Sequence, residues 1–212
     1  MKFLWLLLLS TGVWANEFEN AVSEYNQGNY IKALDTFYVL AKEGDPKAQF
    51  NVGLIYADGK GVNKDSYQAM EWYRKAADQN NTAAQYNLAK LISQRPDSKD
   101  PHVVERMLYW YKKAADNGQK EAMNELGLLY FHGKGVKQNK AKAFEFFKKA
   151  ANLGNGAAQI NAALLYAWGE GLPHDKIKAY KNLKKALSQG RTEASPYLEK
   201  LCKESSWACQ GQ

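Results

Sequence analysis

The sequence predicts an all-α chain: an α/α solenoid of about five helix-turn-helix repeats, closed by a C-terminal capping helix. Three observations carry this. A sixteen-residue stretch, Ala48 to Asn63, returns as Ala122 to Lys137 and as Ala158 to Pro173. Alanines recur in register at Ala48, Ala84, Ala122, Ala158 and Ala194, spaced 36, 38, 36 and 36 residues apart. A second ladder, Ala77, Ala115, Ala151 and Leu187, keeps the same period. Self-similarity at 20–50 residues marks units that bury a core only by stacking on their neighbours.

The first fifteen residues read as an address. Lys2 precedes the short apolar run Phe3 to Leu9, and Val13-Trp14-Ala15 supplies a cleavage site before Asn16. Residues 1–15 are therefore expected to be a secretory signal peptide, too short to span a bilayer. No other apolar run approaches a transmembrane length, so the expected mature protein is periplasmic or secreted, without stable membrane insertion.

Residues 16–47 form the first repeat. Residues 48–83, 84–121, 122–157 and 158–193 form the next four, and 194–212 the cap. In each repeat, helix A carries apolar residues at i, i+4 and i+8, as in Ala48, Val52 and Tyr56. Helix B carries Ala69, Trp72, Tyr73, Ala76 and Ala77 in the second repeat. Both spacings place one apolar stripe on a 3.6-residue helix. Gly53, Ala89, Gly127 and Ala163 share one helix A position, where a small side chain admits a neighbouring helix. Glycine there costs about 1 kcal/mol relative to alanine, so close packing must offset it.

Between the helices, Gly59-Lys60-Gly61 and its copies break helix A and permit positive φ. Asp65, Asn139 and Asp175 sit where helix B should start, as N-caps. Gly44, Gly118, Gly154 and Gly190 end helix B, with Asn80 in the remaining copy. The third repeat departs: Arg95-Pro96-Asp97-Ser98-Lys99-Asp100-Pro101 replaces the Gly-x-Gly turn, and its two prolines predict an irregular bulging loop. An altered inter-repeat angle or a grip point for a partner is expected there.

The lysine and arginine count is 29 against 22 acidic residues, a net +7, or +6 once Lys2 is removed. Lys112-Lys113, Lys148-Lys149 and Lys184-Lys185 recur with the repeat and read as a solvated helix face. An acidic protein partner would be drawn by steering. Nucleic acid is disfavoured, because no clustered basic-aromatic motif is present. Two cysteines, Cys202 and Cys209, stand close together at the C-terminus. In an oxidising compartment they read as a disulfide fastening the cap, behind a helix from Ser195 to Lys203 that Pro196 opens. A redox pair is the rival reading, but Cys-x-x-Cys is absent.

Chemistry is scarce. His102, His132 and His174 are the only histidines, and none has a second histidine at i+3 or i+4. No metal-ligand spacing, Gly-x-Ser-x-Gly elbow or His-Glu-x-x-His motif is found. Gly59-Lys60-Gly61 lacks the rest of a phosphate-binding loop. No metal or cofactor is implied.

Ala-x-x-x-Leu-Gly-x-x-Tyr-x-x-Gly-x-Gly-Val, followed by Ala-x-x-Trp-Tyr-x-Lys-Ala-Ala, resembles the Sel1-like repeat, an α/α solenoid related to tetratricopeptide repeats. The resemblance spans about Ala21 to Ala194. The first repeat, Tyr25-x-x-Gly28-Asn29-Tyr30-x-Lys32-Ala33-Leu34-x-x-Phe37, is similar to a tetratricopeptide repeat instead. The resemblance implies that helix A lines a concave binding groove. Its candidate contacts are Phe50, Leu54 and Asp58; Tyr86 and Lys90; Asn124, Leu128, Phe131 and His132; and Ile160, Leu164 and Trp168. Some of the leucines and isoleucines could equally pack between repeats. The implied function is a non-catalytic, monomeric exported adaptor binding another protein. One form of it is an immunity protein neutralising a toxic effector such as a phospholipase. The alternatives are an envelope enzyme of β-lactamase type, for which no Ser-x-x-Lys motif is found, and a scaffold for peptidoglycan or polysaccharide machinery.

Overall fold

The computed structural model describes residues 16–169, 172 and 174–210. The expected signal peptide at 1–15 lies outside the described residues, as do Glu170, Gly171 and Pro173 of the last Gly-x-Gly turn. The described chain is all-α, with no strand among these residues. Its contacts divide it into two compact units between Ser98 and Lys99.

The first unit runs through α1 (residues 16–26), α2 (Tyr30–Lys42), α3 (Pro46–Asp58), α4 (Ser66–Asp78) and α5 (Thr82–Ser93). Each helix packs on the next from α2 to α5. Its core gathers Ala33, Phe37, Leu40, Ala48, Val52, Ile55 and Trp72, with Phe18 and Tyr25 of α1 against it. The second unit holds α6 (Pro101–Asp116), α7 (Lys120–His132), α8 (Lys140–Asn152), α9 (Gly156–Trp168) and α10 (Lys176–Ser188). A 3₁₀ turn (Thr192–Ala194), α11 (Ser195–Glu204) and α12 (Ser206–Cys209) finish it. One core cluster lies around Phe144, Phe147 and Leu165, and another around Ala163, Leu183 and Leu201.

The repeated alanines Ala48, Ala84, Ala122, Ala158 and Ala194 are all fully buried. Each stands where a larger side chain would force neighbouring helices apart. The helix B caps act as expected. Asp65 Oδ1 accepts from the Tyr67 and Gln68 amides, Asn139 Oδ1 from Lys142, and Asp175 Oδ1 from Lys178. In the turns before them, the Tyr56, Tyr130 and Tyr166 carbonyls accept the backbone N–H of Asp65, Asn139 and Asp175. Helix A has caps of its own: Asp45, Asn81 and Asn155 accept from the amides of Ala48, Ala84 and Ala158.

Gly59 and Gly61, and likewise Gly133 and Gly135, take positive φ. Gly169 does not: its φ is −73°, in an extended conformation. Asn80 supplies the left-handed residue, at φ +64°, where the other repeats use glycine. Between α5 and α6, Arg95 folds back on Asp97 through two hydrogen bonds of 2.8 and 2.7 Å. Pro101 lies outside that loop as the first residue of α6, capped by Asp100.

A buried glutamine joins successive repeats. Gln49, Gln85 and Gln159 donate Nε2 to the carbonyls of Ala41, Ala77 and Ala151, each near the end of the preceding helix B. Each of these carbonyls also accepts a backbone N–H, from Gly44, Asn80 and Gly154 respectively, so the glutamine fills its second acceptor position away from water.

Candidate functional site

In the first unit, α3, α4 and α5 enclose a cleft of about 280 Å³ lined by Leu54, Asp58, Lys64, Tyr73, Asn87 and Lys90, among others. Three of the expected groove positions, Leu54, Asp58 and Lys90, therefore meet in one depression. Asp58 ends α3 and is exposed, 3.9 Å from Lys60. Phe50, one turn before Leu54, is half-buried, with its ring 5.7 Å from that of Tyr73. Tyr86 is half-buried on α5.

The Tyr73 hydroxyl and Asn87 were not among the expected contacts. Tyr73 is buried, and its hydroxyl is hydrogen-bonded to Asn87. Burial, and then the nearby Asp58 carboxylate, push its phenol well above the usual range, so it stays protonated at neutral pH. It is a hydrogen-bonding group and not a base. Only one sequence signal pointed here: asparagine recurs at positions 51, 87 and 161 of the repeat. The cleft thus offers an acid, two ammonium groups, a phenol and the amides of Asn87 and Gln94, beside Leu54, Ala57 and Leu91. Opposite charges and hydrogen-bonding groups side by side suit the polar rim of a protein interface and its electrostatic complementarity.

The Gly59-Lys60-Gly61 turn serves packing. Lys60 Nζ donates to the Tyr25 hydroxyl at 2.8 Å and lies over the Tyr25 and Tyr30 rings. The hydrogen bond to Tyr25 raises the Lys60 pKa. The loop lysine thereby fastens the first repeat to the second.

In the second unit the groove positions differ in character. Asn124 is buried, and its Oδ1 accepts from Asn161 Nδ2 at 3.1 Å. Ile160 is buried in the core. Leu128 and Phe131 pack against one core cluster, and Leu164 against the other. His132 is exposed, with Phe131 edge-on to its ring at 5.0 Å. Trp168 is half-buried and faces the cap: its Nε1 donates to Glu204 Oε2 at 2.8 Å, and Lys200 lies over its ring. The Cys202–Cys209 disulfide ties α11 to α12, with Cα atoms 5.7 Å apart. Among the described residues no cluster of three or more His, Cys, Asp or Glu side chains could hold a metal ion. No described helix is long and apolar enough to cross a membrane.

The model of the Sel1 repeat family matches four consecutive stretches, residues 46–81, 82–119, 120–155 and 156–190. The chain belongs to the Sel1 repeat family. Its fold is similar to that of a Sel1 repeat protein from Oxalobacter formigenes, with TM-score 0.77 and 30% identity over 90% of this chain and 79% of that one. The immunity protein Pa5087 from Pseudomonas aeruginosa shares the fold at TM-score 0.54 and 24% identity, over 82% of this chain and 68% of that one. The uncharacterized protein NMB1327 of Neisseria meningitidis is 34% identical over 107 residues, covering 49% of this chain. The Sel1 chain spans only about a fifth of that relative's length. Sel1 repeats mediate protein–protein interaction.

Proposed function

We propose that this Sel1 repeat protein is an exported, non-catalytic binding protein that holds another protein against the helix A faces of its repeats. The observation that carries the reading is the cleft between α3, α4 and α5. It sets Asp58 and Lys90 at its wall and the Tyr73–Asn87 pair within it. Export is supported by the leader-like residues 1–15 and by the disulfide, a bond that persists in oxidising compartments. The specific form is an immunity protein whose partner is a toxic effector, such as a phospholipase. A bacterial immunity protein is built on the same fold.

The test is affinity capture from the periplasm and from competing cells, with wild-type protein and an Asp58→Lys/Lys90→Glu variant side by side. The reading expects one protein held by the wild type and lost from the variant, with helical circular dichroism unchanged. Equal capture by both would remove the cleft from the interface. Nitrocefin turnover by the purified protein would establish the enzymatic alternative instead.

A further inference from the structure

The positive charge of this chain is concentrated in a lysine-rich stretch of the second unit. Residues 134–185 contain eleven lysines and no arginine, against Glu145, Glu170 and Asp175. Helix α10 alone carries five lysines and no acid. It buries Ala179, Leu183 and Ala186 and leaves Lys181, Lys184 and Lys185 in solvent. Those three make no ion pair with any described residue.

Beside this helix stands an exposed tryptophan. Trp207 is 61% exposed, whereas Trp72 and Trp110 are 4% and 7% exposed. It lies inside the segment closed by the Cys202–Cys209 disulfide, between the buried residues Ser205 and Ala208. Lys176 at the start of α10 donates to Ser205 Oγ at 2.6 Å, and α12 packs on α10. The staple and these contacts fix α12, with its exposed indole, against the lysine helix, Ser205 meeting its first turn.

We propose that this end of the second unit docks on an anionic lipid bilayer, with Trp207 as interfacial anchor and the lysines of α10 as electrostatic contact. The residue types decide between occupants. Protein interfaces enrich arginine and deplete lysine, whereas every cation between 134 and 185 is lysine. A lysine ammonium is a compact point charge that suits phosphate. Tryptophan settles at the membrane–water boundary, and lysines near an anionic leaflet each contribute to adsorption. Pre-ordering of the indole by the staple lowers the entropy lost on docking. The contact is peripheral and does not rest on the protein-binding reading of the first unit.

The experiment is co-sedimentation of the purified protein with vesicles of phosphatidylcholine, with and without about one third phosphatidylglycerol. Binding should require phosphatidylglycerol, fall steeply from low to high salt, and shift tryptophan emission to the blue. Trp207→Phe should remove the shift, and Lys181→Gln/Lys185→Gln should weaken partitioning by about fivefold per lysine. The proposal is overturned by absence of binding at low salt, by unchanged binding of the lysine variant, or by binding without an emission shift. Association with poly-glutamate but not with vesicles would assign the face to an acidic polypeptide and overturn it equally. The Asp58→Lys/Lys90→Glu variant should bind vesicles like wild type, so a failure here is distinct from a failure of the cleft.

Discussion

Gly127 lies directly beneath the ring of Phe147: a Cβ built on it would stand 2.5 Å from Phe147 Cε1. Gly53 bears the same relation to Tyr73, at 2.7 Å. One repeat later, Ala163 and Leu183 hold the two equivalent positions, both fully buried. Ring and glycine, or leucine and alanine, are two ways of filling one space. Gly127→Ala should therefore destabilise by about 1–2 kcal/mol, since overpacking outweighs the gain in helix propensity. The double variant Gly127→Ala/Phe147→Leu should recover most of that loss. Urea denaturation of all four proteins gives the coupling, and additive effects would refute the relationship.

The glutamine bridges predict an unequal pair. Gln85 is fully buried and holds the Ala77 carbonyl at 3.2 Å, beside the Asn80 amide that the same carbonyl accepts at 3.0 Å, so Gln85→Met should cost about 1–1.5 kcal/mol by removing one of its two hydrogen bonds. Gln159 reaches the Ala151 carbonyl only at 3.4 Å, and its own Oε1 has no hydrogen-bond partner. Met123 already fills the corresponding place in the intervening repeat. Gln159→Met should thus stay within about 1 kcal/mol of wild type in the same denaturation assay.

The fold was legible because its determinants are local and repeated. A cap, a positive-φ glycine and a buried alanine each act within a few residues, and four copies reveal the register. Gly169 marks the limit, because a glycine permits positive φ without imposing it. The helix A caps Asp45, Asn81 and Asn155 were hidden among turn residues between repeats. The site was legible only in part. Asp58 and Lys90 meet in a cleft, but the sequence could not tell that Asn124 faces Asn161, 37 residues away. Nor could it show that Trp168 is engaged by Glu204, 36 residues on. A polar or aromatic side chain on helix A looks the same whether a partner or the chain itself covers it.

The cap offers a redox prediction. Closing the short loop between Cys202 and Cys209 should stabilise by about 2–3 kcal/mol in the chain-entropy model. Cys202→Ser/Cys209→Ser, or reduction with dithiothreitol, should fray α12 first, then loosen the Glu204 and Lys200 contacts on Trp168. The measurement is amide exchange across 195–210. Protection there should fall while that of α7 and α8 holds. Uniform loss would mean that the staple supports the whole unit.

Acid should loosen α10 from its start. Lys178 hydrogen-bonds the Asp175 carboxylate at 2.8 Å, and the Lys178 amide bonds it as well, so its pKa is held below the usual value. A carboxylate depressed on folding contributes stability that is complete above its unfolded pKa of about 4 and lost as pH falls through the lower folded value. Asp175→Asn keeps the cap acceptor without the charge, so it should lose the charge-dependent contribution at pH 7 and flatten this part of the acid limb. Asp175→Ala removes both and should cost about 1 kcal/mol at pH 7. Thermal unfolding of the three proteins between pH 2.5 and pH 7 checks it. An acid limb of unchanged slope in Asp175→Asn would assign the sensitivity to other carboxylates.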